Sequence, residues 1–113
     1  MILHKISWAI VAAMGLVHAA PVYKQGAVKT PDGATIAYYV REGAGPNLLL
    51  IPGSWDEHRI FDRFVDLLPS DWRVIVVELR GHGASQPASS SPSMALFAGD
   101  VLQVAGALGL QRY

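Results

Sequence analysis

Two stretches place residues able to do chemistry directly after apolar runs. In Leu48-Leu49-Leu50-Ile51-Pro52-Gly53-Ser54-Trp55, four aliphatic residues stop at Pro-Gly and a serine follows. In Val74-Ile75-Val76-Val77-Glu78-Leu79-Arg80-Gly81-His82-Gly83-Ala84-Ser85, a β-branched run gives way to charge, glycine and histidine. An unbroken apolar run bounded by turn residues suits a strand buried on both faces. A buried helical segment could look the same over so few residues, but Pro-Gly directly after the first run favours strand and turn. Ligands of open parallel sheets sit beyond the carboxyl ends of strands, so an active site of this chain would lie near Gly53 and Ser54.

Other candidates have blander readings. Gly81-His82-Gly83-Ala84-Ser85-Gln86 starts like a dinucleotide-binding fingerprint, but Gln86 stands where a glycine is required and no helix begins at the turn. A glycine turn is the better reading. Asp56, Glu57 and His58 suggest a metal site only until their spacing is considered, since three adjacent helical residues point in different directions. No metal is expected there. Asp100 reads as a residue hydrogen-bonded inside the fold. Trp55 has two equal readings, as the lining of a substrate pocket or as packing under the first helix. With no cysteine in the chain, disulfides and thiolate chemistry are excluded.

The elements that must position these residues follow from period and punctuation. Tyr23 to Thr30 and Thr35 to Val40 read as strands joined by Thr30-Pro31-Asp32-Gly33-Ala34, a strong turn signal, and so as an antiparallel hairpin. After the strand ending at Ile51, the apolar residues Ile60, Phe61, Phe64, Val65, Leu67 and Leu68 fall on one helical face. Ser54-Trp55-Asp56-Glu57 fits a capping box for that helix, with Asp56 as a rival cap, and Pro69 ends it. Trp72 to Leu79 is the next strand. Strand, helix, strand makes a right-handed βαβ unit. A last helix is predicted with Ser91 as cap and Pro92 at its first position, running through Phe97, Val101, Val104, Ala105 and Leu108 to Gly109.

At 113 residues the chain holds at most one domain, and half of its residues are hydrophobic, enough for a core. Nine basic and nine acidic residues are scattered, which gives no basic stripe for nucleic acid. Met1 to Lys5 is short and basic, Ile6 to Val17 is apolar, and Val17-His18-Ala19 has small residues at a cleavage position. This is the pattern of a secretory signal over residues 1–19, cleaved after Ala19, with the domain occupying residues 20–113. The run falls short of the ~20 residues that span a bilayer, so no stable membrane anchor is expected.

The order of hairpin, strand, helix, strand and helix resembles the N-terminal part of the α/β-hydrolase fold. Val76 to Ser85 looks like that family's segment after its fourth strand, and Asp100 to Leu110 like the helix before its fifth. The resemblance implies a three-layer αβα architecture with a mostly parallel sheet and an N-terminal antiparallel hairpin, truncated here. It assigns Gly53 to the family's oxyanion turn and makes the Ser54 backbone amide an oxyanion-hole donor. Pro52 departs from the family's common histidine and has no amide to give. The family's nucleophile sits on a G-x-S-x-G elbow after the fifth strand, with its acid and histidine later still. No G-x-S-x-G occurs in this sequence, so no catalytic residue is present. His82 is then a turn residue, since the family's histidine lies far downstream.

The resemblance therefore implies a fragment of a secreted hydrolase. Its complete form would cleave ester-type or related bonds of a small molecule through a serine nucleophile, without a cofactor. The alternative is a non-catalytic truncated product or binding derivative of the same fold. In the family's sheet the third strand lies between the fourth and fifth, so Leu48 to Ile51 is expected to be an uncovered apolar edge prone to self-association.

Overall fold

The computed structural model describes residues 20–113; the predicted signal segment, residues 1–19, lies outside them. Strands β1 (Lys24–Lys29) and β2 (Thr35–Arg41) form the hairpin, with Lys24 opposite Val40 and Lys29 opposite Thr35. Its turn closes when the Gly33 amide donates to the Thr30 carbonyl and the Thr30 hydroxyl accepts from the Ala34 amide.

Strand β3 (Asn47–Leu50) and strand β4 (Arg73–Val77) are shorter than their apolar runs. β4 pairs antiparallel with β2 and parallel with β3, so the mixed sheet runs β1-β2-β4-β3. Alternation along β4 sends Ile75 and Val77 to one face and Val74 and Val76 to the other, all fully buried. That double burial is why the run carries no polar residue. β3 lies at the sheet's edge, and its leucines are half-buried.

One layer is helix α1 (Asp62–Asp66), entered through a 3-10 turn at His58–Phe61. Val65 is buried there against Val74 and Val76, with Phe61 and Leu68 half-buried beside it. Ile60, Phe64 and Leu67 stay exposed, so the apolar face is wider than the stripe it buries. The predicted capping box does not form. Trp55 takes a left-handed φ of 69°, the Asp56 amide donates to the Gly53 carbonyl, and Glu57 is extended, so the chain is not helical where the box requires it. Neither Ser54 nor Asp56 caps the element. The carboxylate of Glu78, at the end of β4, accepts from the His58 amide at 2.9 Å instead. At the other end of α1, the Arg41 guanidinium donates to the carbonyls of Val65, Pro69 and Trp72.

The opposite layer is helix α2 (Met94–Ala107), whose Val101 and Val104 pack against Ile36, Ile75 and Val77. Its cap is Ser93, whose hydroxyl accepts from the Leu96 amide, and not Ser91. The Ser93 carbonyl receives the first helical bond, from Phe97, which leaves Pro92 outside. Gly109, at φ 66°, ends α2 as expected: its amide reaches Gly106 while that of Leu110 reaches Ala105, a Schellman closure.

Candidate functional site

The carboxyl ends of β3 and β4 lie side by side. Beyond β3, Pro52 is buried while Gly53, Ser54 and Trp55 are exposed. The bond from the Asp56 amide to the Gly53 carbonyl makes Gly53-Ser54-Trp55-Asp56 a β-turn, and the positive φ of Trp55 at its third position belongs to a type II turn. Glycine or asparagine ordinarily fills that place; here a tryptophan does, and the residue is 96% exposed. Among the described residues no acceptor meets the Ser54 amide. The turn borders an apolar groove of about 550 Å³ lined by Ile51, Gly53, Ser54, Leu79, Phe97 and Val101. Trp55 is not part of that lining and does not pack under α1; its ring lies 6.3 Å from that of His82.

The end of β4 is built differently. Glu78 is fully buried. Its carboxylate accepts from the His58 amide, the His58 ring and the Ala84 amide. Burial alone would raise its pKa; those two amides, the His58 ring and the Tyr39 hydroxyl outweigh it and hold the carboxyl below its ordinary value. Tyr39 stacks on the His58 ring at 3.5 Å, and burial followed by the Glu78 charge pushes its phenol up to about 12. Gly83 has φ 52°, and a Cβ there would collide with the Glu78 carboxylate, so the turn accepts no side chain at that position. The Ser85 hydroxyl accepts from the Ala37 amide and donates to the Glu78 carbonyl.

Arg80 carries the second buried network. Its guanidinium grips both oxygens of Asp100 at 2.7 Å and reaches Asp32 at 2.7 Å. Asp100 and then Asp32 stabilise the charged guanidinium and raise its pKa, while the bonds from Arg80, Thr30 and Ser90 hold the Asp32 carboxyl far below the usual range. Asp100 is thus an internal hydrogen-bonded group, as its sequence context suggested. His82 uses Nδ1 to donate to the Arg80 carbonyl at 3.0 Å, a turn-forming role.

Of Asp56, Glu57 and His58, the last two converge after all, because Glu57 is extended rather than helical. With Glu78 from across the layer they place one donor atom each within 4.8 Å. Each has partners within the chain: Glu57 is also paired with Arg59, and Glu78 with the two amides. Sequence reasoning missed Glu78 and Arg80. The available signal was an acid and a base set just past an apolar strand, where neither fits the pattern.

Residues 20–113 carry the N-terminal part of the α/β-hydrolase fold. A Pseudomonas aeruginosa protein provisionally assigned as an epoxide hydrolase superposes with a TM-score of 0.70 at 30% identity, over 82% of this chain and 32% of its own. An α/β-hydrolase from Novosphingobium aromaticivorans gives a TM-score of 0.71 at 26% identity, over 83% and 34%. The "probable oxidoreductase EphD" of Mycobacterium bovis and Mycobacterium tuberculosis is 39% identical over 85 residues, 72% of this chain. The chain spans 14% of the length of those mycobacterial relatives. No family profile matches it.

Proposed function

We propose that this chain supplies the oxyanion-binding side of a hydrolase active site. The Ser54 amide would be the donor and the groove beside it would receive the apolar part of a small substrate. The observation that carries this reading is the unpaired Ser54 amide, held on a turn at the carboxyl end of a strand in a hydrolase fold. An amide aimed at a developing oxyanion typically lowers a barrier by roughly 3 kcal/mol. In the whole protein the reaction would be hydrolysis of an ester-type or related bond by a serine nucleophile, which residues 20–113 do not supply. The residue 1–19 pattern supports export, and mass spectrometry of the secreted product should find Ala20 at its N-terminus.

Amide NMR tests the donor. Titration with a short carboxylate such as butyrate should shift the Gly53 and Ser54 amides saturably; no saturable shift there defeats the assignment. A second reading is a non-catalytic derivative of the fold, since Pro52 stands where the resemblance puts a histidine. A fluorophosphonate should leave this chain unlabelled, and stoichiometric labelling at one serine would contradict both readings. The oxidoreductase name of the mycobacterial relatives does not transfer, because the match covers so little of them and Gln86 breaks the dinucleotide fingerprint.

A further inference from the structure

The turn after β3 is strained, and it is anchored at both ends. Upstream, parallel pairing sets Leu50 beside Val76, and Pro52 is buried. Downstream, the next residue whose backbone is tied to another element is His58, whose amide donates to Glu78 Oε2 at 2.9 Å. Between those anchors the backbone bond made among the described residues is the one from the Asp56 amide to the Gly53 carbonyl. It closes the turn on itself and ties it to nothing else. A left-handed φ of 69° on a residue with a Cβ, as at Trp55, persists only where neighbouring structure imposes it.

Glu78 is suited to imposing it. Its side chain is fully buried, so its bonds form in a medium where they are stronger than in water. A carboxylate accepting from an amide makes a charge-assisted bond, roughly twice as strong as a neutral one. Oε1 takes the Ala84 amide at 2.9 Å, so the carboxylate cannot swing away without releasing the glycine turn after β4. The His58 ring adds a bond of 3.0 Å from Nδ1 to Oε2, and Tyr39 stacks on that ring. One carboxylate therefore spans the turns after β3 and β4. We infer that Glu78 is a positioning residue for the Ser54 amide: through the His58 amide it holds Gly53 to Asp56 in the left-handed turn. The inference rests on the reading of Ser54 as an oxyanion donor, but the hold itself has a readout of its own. Without it, Trp55 relaxes to a negative φ and the Ser54 amide no longer keeps one direction.

His58 allows the bond to be removed. It opens the 3-10 turn, and Glu57 before it is extended at φ −135° and ψ 177°, a conformation that a following proline accepts. His58→Pro removes ring and amide, whereas His58→Ala removes the ring alone. In NMR spectra of the full chain, Trp55 should show the strong intraresidue amide–Hα cross-peak of a positive φ. His58→Ala should keep it. His58→Pro should lose it, with butyrate affinity at Ser54 falling about tenfold or more. Glu78→Gln sets an NH2 group against one of the two amides and should do the same, which serves if the proline variant does not fold. Asp32→Asn weakens the Arg80 network and should lower the urea midpoint with the cross-peak unmoved; its loss there too would mean general loosening and count against the inference. A cross-peak and a butyrate affinity that survive His58→Pro or Glu78→Gln would overturn it. No butyrate shift in the parent chain would instead defeat the Ser54 reading, and the cross-peak would then decide alone whether Glu78 holds the turn.

Discussion

The turns after β3 and β4 are neighbours in space and opposites in construction. After β4, the polar groups of Glu78, Arg80 and Ser85 are buried and each has a partner, with charges balanced across Asp32 and Asp100. After β3, Gly53, Ser54 and Trp55 are exposed, and a bulky residue occupies a backbone region that usually takes glycine. Strain of this kind costs on the order of 1–3 kcal/mol and persists where its surroundings hold it. The turn after β4 binds its buried charges and the Ser85 hydroxyl into the frame, whereas among the described residues the Ser54 amide after β3 meets no acceptor.

Removing the frame's charge should have the largest effect. Arg80→Ala leaves Asp100 buried without its cation and should cost roughly 3–5 kcal/mol in urea unfolding; a loss under about 1 kcal/mol would mean the network is not structural. Acid attacks the same groups from the other side. The folded-state pKa values of Glu78 and Asp32 lie below their unfolded values, so their contribution is complete above the ordinary carboxylate range. As pH falls, the unfolded chain takes up protons first, and the contribution is lost progressively until the folded carboxyls also protonate. The urea midpoint should therefore fall between about pH 5 and pH 3; a flat profile would contradict the pairing.

Gly83→Ala combines a left-handed backbone with a clash against Glu78 and should cost about 1–3 kcal/mol by the same assay. The comparison is sharpest at its smallest effect. Trp55→Gly relieves the β3 turn and should stabilise the chain by up to about 1 kcal/mol, the reverse of any change after β4. If it destabilises, the exposed indole contributes to the folded state in a way its 96% exposure does not suggest.

Local patterns made the frame legible. The β-branched run of β4, the Pro-Asp-Gly turn of the hairpin and Gly109 at the end of α2 were each readable because one residue type has one strong physical use. What escaped was decided at a distance. Ser54 and Glu57 look like a capping pair in sequence, yet the cap of that element comes from Glu78, just past the end of β4. Ser91 and Pro92 look like a helix start, but Ser93 offers the same hydroxyl two residues later, and the first helical bond selects it. Trp55 carries no sequence signal for a left-handed angle at all.

Arg41 also bears on where the chain can be lengthened. Its guanidinium draws three carbonyls between Val65 and Trp72 into one knot, so the loop from α1 to β4 has a set length as well as a set path. Residues inserted between Pro69 and Trp72 would pull two of those carbonyls apart and untie α1 from the sheet. Among the described residues the backbone of Ser89 to Ser91 carries no such tether, and a tag or linker placed after Ser90, whose side chain bonds Asp32, should be absorbed without disturbing the layers.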